Sequence, residues 1–108
     1  MKDSLKLEGW KVETCIDGAE ARKKITGTAR YDLLLLDYDL PGVNGLELVR
    51  LARKLPHRRR TPIIMFSAGE VETEAWRAGV NAYLRKPDDV LKIAETIVRL
   101  IPARTRTQ

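Results

Sequence analysis

The sequence predicts an α/β protein with a doubly wound parallel sheet, that is, a sheet covered by helices on both faces. Two segments, YDLLLLD (residues 31–37) and TPIIMFSA (residues 61–68), contain uninterrupted apolar runs, which are typical of strands buried on both sides in a parallel sheet. Segments with apolar residues at helical spacing separate the strand-like segments along the chain. Strands that alternate with helices favour parallel pairing through helical crossovers.

The elements in the first half of the chain can be placed in order. Residues 10–16 (WKVETCI) alternate between apolar and polar side chains, which predicts a strand. Asp17 then caps the helix DGAEARKKI, and the loop GTAR leads into the LLLL strand. Asn44 begins the helix GLELVRLARKL, and Pro56 ends it.

The second half continues the alternation. The helix EVETEAWRAG ends at Gly79, which suits the left-handed position after a helix. NAYLRK (residues 81–86) is a short strand, and Asp88 or Asp89 caps the last helix. We expect the inner face of that helix to consist of Val90, Ile93, Ala94, Ile97 and Ile101.

Composition limits the classes of function. The chain has 108 residues, enough for a single domain, with 44% hydrophobic and 32% charged residues, as in soluble globular proteins. It has no apolar run long enough to span a membrane, and MKDSLKLEG lacks the continuous apolar stretch that a secretory signal needs. The single Cys15 suits a reducing compartment. The densest basic run, HRRR (residues 57–60), has no interleaved aromatics, so we interpret it and His57 as solvated. We therefore expect a cytoplasmic protein with no direct membrane or nucleic-acid binding.

Polar side chains stand where three predicted strands end. Asp37 and Asp39 follow the LLLL strand, Ser67 ends the next strand, and Lys86 precedes Pro87 at the end of the third. Chemistry in such sheets gathers beyond the carboxyl ends of the strands. A carboxylate attacks phosphorus well once the phosphoryl charge is neutralised, and Lys86 and Ser67 could bind phosphoryl oxygens. The sequence therefore allows either a phosphoryl acceptor or a small hydrolase at this edge.

Each of these residues also has an ordinary structural explanation. Asp37 could cap the turn after its strand, and Asp39 could form the turn that Pro41 and Gly42 continue. The Ser67 hydroxyl could cap the following helix. It is the combination of the three strand ends that favours a functional site.

The segments DLLLLDYDLPGVNGLEL, PIIMFSA and AGVNAYLRKP together resemble the receiver domain of two-component response regulators. The resemblance covers nearly the whole chain and implies a flavodoxin-like fold over residues 1–102, followed by a flexible basic tail at residues 103–108. It implies a non-enzymatic role in a phosphorelay, in which a sensor histidine kinase or phosphotransfer protein phosphorylates Asp37. Ser67 would be the switch hydroxyl and Lys86 the phosphoryl partner.

The resemblance implies further features of the site. Tyr83 would be the rotating aromatic of the switch, although its position alone suggests a strand residue with one wet end. Magnesium would be bound by Asp37 and by the backbone carbonyl of Asp39, whose side chain would point elsewhere. The bond between Lys86 and Pro87 is a candidate cis peptide.

The sequence departs from the receiver pattern in two places. The helix after Ser67 is shorter than usual, and MKDSLKLEGWKV matches the end of the family's first helix and its second strand. The first strand, with the acidic pair that holds magnesium, is thus expected to be missing. We therefore expect weak or absent magnesium binding and impaired phosphorylation. We also expect a homodimer or strand-exchanged oligomer that covers an open edge at residues 33–36.

Two other functions stay open. A receiver that binds partners without being phosphorylated would share the same fold. A phosphatase of the haloacid dehalogenase type also has Asp-x-Asp after an apolar strand, followed by a Ser or Thr and a Lys. This last alternative is the least favoured, because that motif usually lies on the first strand and is followed by Thr or Val where Pro41 stands.

Overall fold

The computed structural model of the protein describes residues 17–101. The predicted strand at residues 10–16, Cys15 and the predicted tail lie outside the described residues. The elements in chain order are α1 (Gly18–Thr26), β1 (Leu34–Asp37), α2 (Gly45–Lys54), β2 (Ile63–Ser67), α3 (Glu72–Ala78), β3 (Ala82–Arg85), a 3₁₀ turn (Val90–Lys92) and α4 (Ile93–Leu100). The alternation of strands and helices predicted for this part of the chain is therefore confirmed.

The three strands form a parallel sheet in the order β1-β2-β3. The register places Leu36 beside Met65 and Met65 beside Tyr83. All five residues of β2 are buried, as the continuous apolar run predicts for a strand with a neighbour on each side and helices on both faces.

Side chains that alternate along the strands divide the core into two layers. Met65 and Tyr83 point to the layer that α1, α2 and α3 cover. Ile64 and Phe66 point to the other layer, where α4 contributes apolar residues spaced three to four apart: Ile93, Ile97 and Ile101. Helices thus cover both faces, as the sequence predicts.

The helix starts agree with the sequence in the first half of the chain but not in the last helix. Asp17 accepts a hydrogen bond from the Glu20 amide (2.8 Å), and Asn44 accepts one from the Leu46 amide. The Asp89 carboxylate instead accepts a hydrogen bond from the amide of Arg85, four residues earlier in the chain. Neither N-cap residue of the last helical segment forms a side-chain cap, so the cap predicted at Asp88 or Asp89 is wrong.

The inner face predicted for the last helix is also wrong at one position. Val90 is 41% exposed, because the chain passes through a 3₁₀ turn before α4 begins at Ile93. A 3₁₀ turn has three residues per turn rather than 3.6, so it rotates Val90 away from the face that Ile93 and Ile97 occupy.

Our interpretation of the run HRRR as solvated is wrong for Arg58. This side chain is only 2% exposed, and it donates hydrogen bonds to the carbonyls of Ile25 and Gly27 at 2.9 and 3.0 Å. It also bonds to the Lys24 carbonyl, and its guanidinium lies 4.8 Å from the centre of the Tyr31 ring. The last carbonyls of a helix lack partners within the helix, and Arg58 supplies donors for them at the end of α1.

Candidate functional site

The carboxyl ends of the three strands form the candidate site. The Lys86 ammonium, just beyond β3, donates a hydrogen bond of 2.8 Å to Asp37 Oδ1 at the end of β1. Ser67 ends β2 between them, and its carbonyl accepts a hydrogen bond from the Lys86 amide. The predicted convergence of Asp37, Ser67 and Lys86 at one edge of the sheet is present. The peptide bond between Lys86 and Pro87 is cis, as expected.

The Asp37 carboxylate accepts one hydrogen bond from the turn after β1 and one from Lys86. Its Oδ1 accepts a hydrogen bond from the Asp39 amide (2.8 Å), which forms the Asx-type turn that an aspartate after a strand favours. The same oxygen receives the Lys86 ammonium, and the Asp37 side chain is 29% exposed. A reactant in solvent can thus reach a carboxylate whose position is fixed by two donors.

The side chain of Asp39 points into the site, which contradicts the expectation that it would point elsewhere. Its Oδ2 accepts a hydrogen bond of 2.9 Å from the amide of Ala68 and lies 3.2 Å from Lys86 Nζ. Ala68 follows the last residue of β2, so its amide needs an acceptor from outside the strand ladder. The Asp39 carboxylate provides that acceptor.

Two hydroxyl groups hold the loop after β2 (residues 68–71). The fully buried Ser67 accepts a hydrogen bond from the Gly69 amide at 2.9 Å. The Tyr83 hydroxyl donates to the Gly69 carbonyl at 2.8 Å and accepts from the Val71 amide at 3.3 Å. The Ser67 contact is local to this loop and is not the helix cap that the structural explanation predicts, because the N-cap residue of α3 is Val71 and that helix has no side-chain cap hydrogen bond. Tyr83 is 9% exposed, with its hydroxyl bound to this loop.

The charges of the site stabilise one another. The hydrogen bond from the Ala68 amide, and then the Lys86 ammonium, hold the pKa of Asp39 below its ordinary value despite some burial. Burial alone would lower the pKa of Lys86, but its hydrogen bonds to Asp37 and Asp39 outweigh burial and raise that pKa. Asp39 and Lys86 are therefore both charged at neutral pH. With the Asp37 carboxylate, the three side chains carry a formal charge of −1.

The described residues fit a magnesium ion only partly. Within residues 17–101, no group of three or more His, Cys, Asp or Glu residues could hold a metal. Magnesium is usually bound through one or two carboxylates with several waters, and Asp37 and Asp39 could supply these. Both carboxylates, however, are already in contact with Lys86.

Among residues 17–101, no helix is long and apolar enough to cross a membrane.

The fold agrees with comparisons to known proteins. The family model described as the response regulator receiver domain matches residues 1–98. The phosphate regulon transcriptional regulatory protein PhoB of Rhizobium meliloti (strain 1021) is 40% identical over 90 residues, which are 81% of this chain and 39% of that protein. The chain spans less than half the length of the first curated relatives it matches.

Solved structures show the same fold. The chemotaxis response regulator CheY4 of Vibrio cholerae has a TM-score of 0.82 at 30% identity, covering 93% of this chain and 85% of that one. The receiver domain of the sensor histidine kinase PA1611 from Pseudomonas aeruginosa PAO1 has a TM-score of 0.80 at 29% identity, covering 92% and 83%. That domain has a magnesium ion coordinated in its active site cleft.

These likenesses confirm the predicted flavodoxin-like receiver fold and favour a signalling domain over the haloacid dehalogenase-type phosphatase. Receiver folds of this kind are generally non-enzymatic parts of two-component systems. The chain belongs to the response regulator receiver domain family.

Proposed function

We propose that this receiver takes part in a phosphorelay by accepting a phosphoryl group on Asp37 from a sensor histidine kinase or a phosphotransfer protein in the cytoplasm. The observation that carries the proposal is the hydrogen bond of 2.8 Å between Lys86 Nζ and Asp37 Oδ1. It brings an ammonium group to the carboxylate, and a transferred phosphoryl group there needs its negative charge neutralised.

The transfer itself requires little covalent chemistry from the protein. A carboxylate oxygen of Asp37 attacks phosphorus, and the bond between phosphorus and the donor's imidazole nitrogen breaks, with the electron pair staying on that nitrogen. The product is an aspartyl phosphate and a free histidine. Lys86 neutralises part of the phosphoryl charge. In its contact with Gly69 the Ser67 oxygen is an acceptor, so its hydroxyl hydrogen can donate to a phosphoryl oxygen.

Phosphorylation would also change the loop at residues 68–71. If the Ser67 hydroxyl turns towards the phosphoryl group, the Gly69 amide loses the acceptor that it has here. The Tyr83 hydroxyl binds the same loop at Gly69 and Val71. We therefore propose that Ser67 and Tyr83 act together as the switch that transmits phosphorylation to a partner surface.

We further propose that magnesium binding is weak and phosphorylation is impaired. Asp37 and the backbone carbonyl of Asp39 are the proposed ligands, and the ion would supply the remaining positive charge for the phosphoryl group. Lys86 already compensates one of the two carboxylates, so little charge is left to attract a divalent ion. This observation also supports a second candidate function, a receiver that binds partners without phosphorylation.

The proposal can be tested with acetyl phosphate and magnesium, followed by intact mass measurement. Slow and incomplete addition of one phosphoryl group, lost in Asp37→Asn, is the expected result. Rapid stoichiometric addition on Asp37 would support phosphorylation and contradict its impairment. Absence of any adduct, with donor and with a histidine kinase, would contradict phosphorylation and leave the interaction-only receiver. Many turnovers on a phosphate ester would revive the phosphatase.

A further inference from the structure

We propose that the Asp39 carboxylate is a built-in competitor of the phosphoryl group. It occupies the anion-binding position that the Ala68 amide and the Lys86 ammonium form, and it must leave this position before Asp37 can be phosphorylated. The inference rests on the proposed phosphorylation of Asp37 and adds a means of regulating that same site.

The geometry supports this competition. Asp39 Oδ2 lies 2.9 Å from the Ala68 nitrogen and 3.2 Å from Lys86 Nζ. The same Lys86 nitrogen lies 2.8 Å from Asp37 Oδ1, so the two carboxylates share one ammonium group. A phosphoryl group on Asp37 would project its anionic oxygens into the space next to that ammonium. The donors that such oxygens need are the ones that Asp39 already uses.

The charges lead to the same conclusion. A phosphoryl group brings additional negative charge to a site whose two carboxylates already exceed its one ammonium. As long as Asp39 stays in place, it both repels the arriving group and withholds two of the donors that would stabilise it. At a separation of a few ångströms, like charges near a protein surface repel strongly enough to change a rate or an affinity by about tenfold.

The competitor is removable rather than a permanent block. The Asp39 side chain is 38% exposed, so its carboxylate can exchange its two contacts for water. Contacts of exposed ion pairs contribute little net stability. Phosphorylation is thus slowed but not prevented, and any partner that draws Asp39 outward would accelerate it.

A first test measures anion binding without phosphorylation. Inorganic phosphate is titrated into the protein while the Ala68 amide is followed by nuclear magnetic resonance. We expect Asp39→Ala to bind phosphate at this amide at least about tenfold more tightly than the unchanged protein. Asp32→Ala is the matched control, because Asp32 is exposed and precedes β1 at the opposite end of that strand. Equal affinities in the unchanged protein and Asp39→Ala would overturn the inference.

A second test measures the rate of modification by acetyl phosphate. Asp39→Asn keeps the size of the side chain and removes its charge, and we expect it to be modified on Asp37 about tenfold faster than the unchanged protein and Asp32→Asn. Modification of all three proteins at the same rate would overturn the competition while supporting the proposed function. Tighter phosphate binding by Asp39→Ala, with no variant modified on Asp37, would support the competition and contradict the proposed function.

Discussion

Lys86 and Asp37 are joined across the full width of the described sheet. The lysine follows β3 and the aspartate ends β1, with β2 between them, and their side chains meet at 2.8 Å although 49 positions separate them in the sequence. Parallel strands that end at the same edge make such a contact possible.

We predict that Lys86→Met slows phosphorylation of Asp37 by acetyl phosphate by about a hundredfold, the size of effect that removal of one preorganised charge-stabilising donor has in enzymes. The ammonium is the described group that neutralises the phosphoryl charge, and methionine keeps the length of the side chain. Labelling rates read by intact mass check this prediction. Lys92→Met is the control, because Lys92 is exposed and pairs with Asp89 instead. Equal rates for the two variants would contradict the role of Lys86.

The charged contacts of Asp39 predict a dependence of stability on pH. Its folded-state pKa lies below the ordinary value of 3.8, so its contacts stabilise the protein fully above that pH. This stability is lost as the pH falls through the folded-state pKa. We expect the difference in unfolding free energy between the unchanged protein and Asp39→Asn to be constant from about pH 5 to about pH 9 and to change below about pH 4. Urea unfolding at each pH measures it, and a difference that stays constant into acid would contradict the contacts.

We predict that Arg58→Ala lowers the free energy of unfolding by about 2–3 kcal/mol. The substitution removes the donors to carbonyls at the end of α1 and leaves them poorly paired in a buried place. Arg59→Ala is the matched control: its side chain is exposed, so we expect a change within about 0.5 kcal/mol. Urea unfolding of both variants checks the prediction. A similar small loss in both would show that the Arg58 contacts contribute little.

Hydrogen exchange can distinguish the contributions of the Ser67 and Tyr83 hydroxyls, which hold the loop at residues 68–71. Tyr83→Phe removes the acceptor of the Val71 amide, so that amide should exchange faster while the Gly69 amide keeps its partner. Ser67→Ala removes the acceptor of the Gly69 amide and should have the reverse effect. Each lost hydrogen bond is expected to cost about 1 kcal/mol. If either substitution accelerates both amides equally, the loop opens as one unit and the contacts are not independent.

The sheet edge predicts the oligomeric state. Among residues 17–101, β1 pairs with β2 alone, and an apolar strand edge that stays unpaired favours pairing with another chain. We expect a dimer or a strand-exchanged oligomer in size-exclusion chromatography with light scattering. A monomer over a wide range of concentrations would contradict this expectation.

Much of the fold and part of the site could be predicted from the sequence. The LLLL and IIMF runs identified buried parallel strands, and the ends of those strands placed Asp37, Ser67 and Lys86 together. These predictions depend on local pattern and on the geometry common to parallel sheets. They require no knowledge of which loop packs against which helix.

The features that were missed depend on contacts between distant segments. The partners of Arg58 are more than 30 positions away, at the end of α1, so a run of basic residues gave no indication that one of them is buried. Asp39 was interpreted from its own turn, whereas the amide that holds its side chain lies 29 positions later, beyond β2. Val90 was misplaced because a 3₁₀ turn interrupts the helical spacing.

The contact between Lys86 and Asp37 also depends on the register of the three strands. A slip of one residue between neighbouring strands displaces them by about 3.3 Å and turns each side chain to the opposite face. If β1 or β3 slipped by one residue relative to β2, the Lys86 ammonium and the Asp37 carboxylate would move apart. A resonance of the Lys86 side chain therefore reports, through one atom, whether all three strands are in their native alignment.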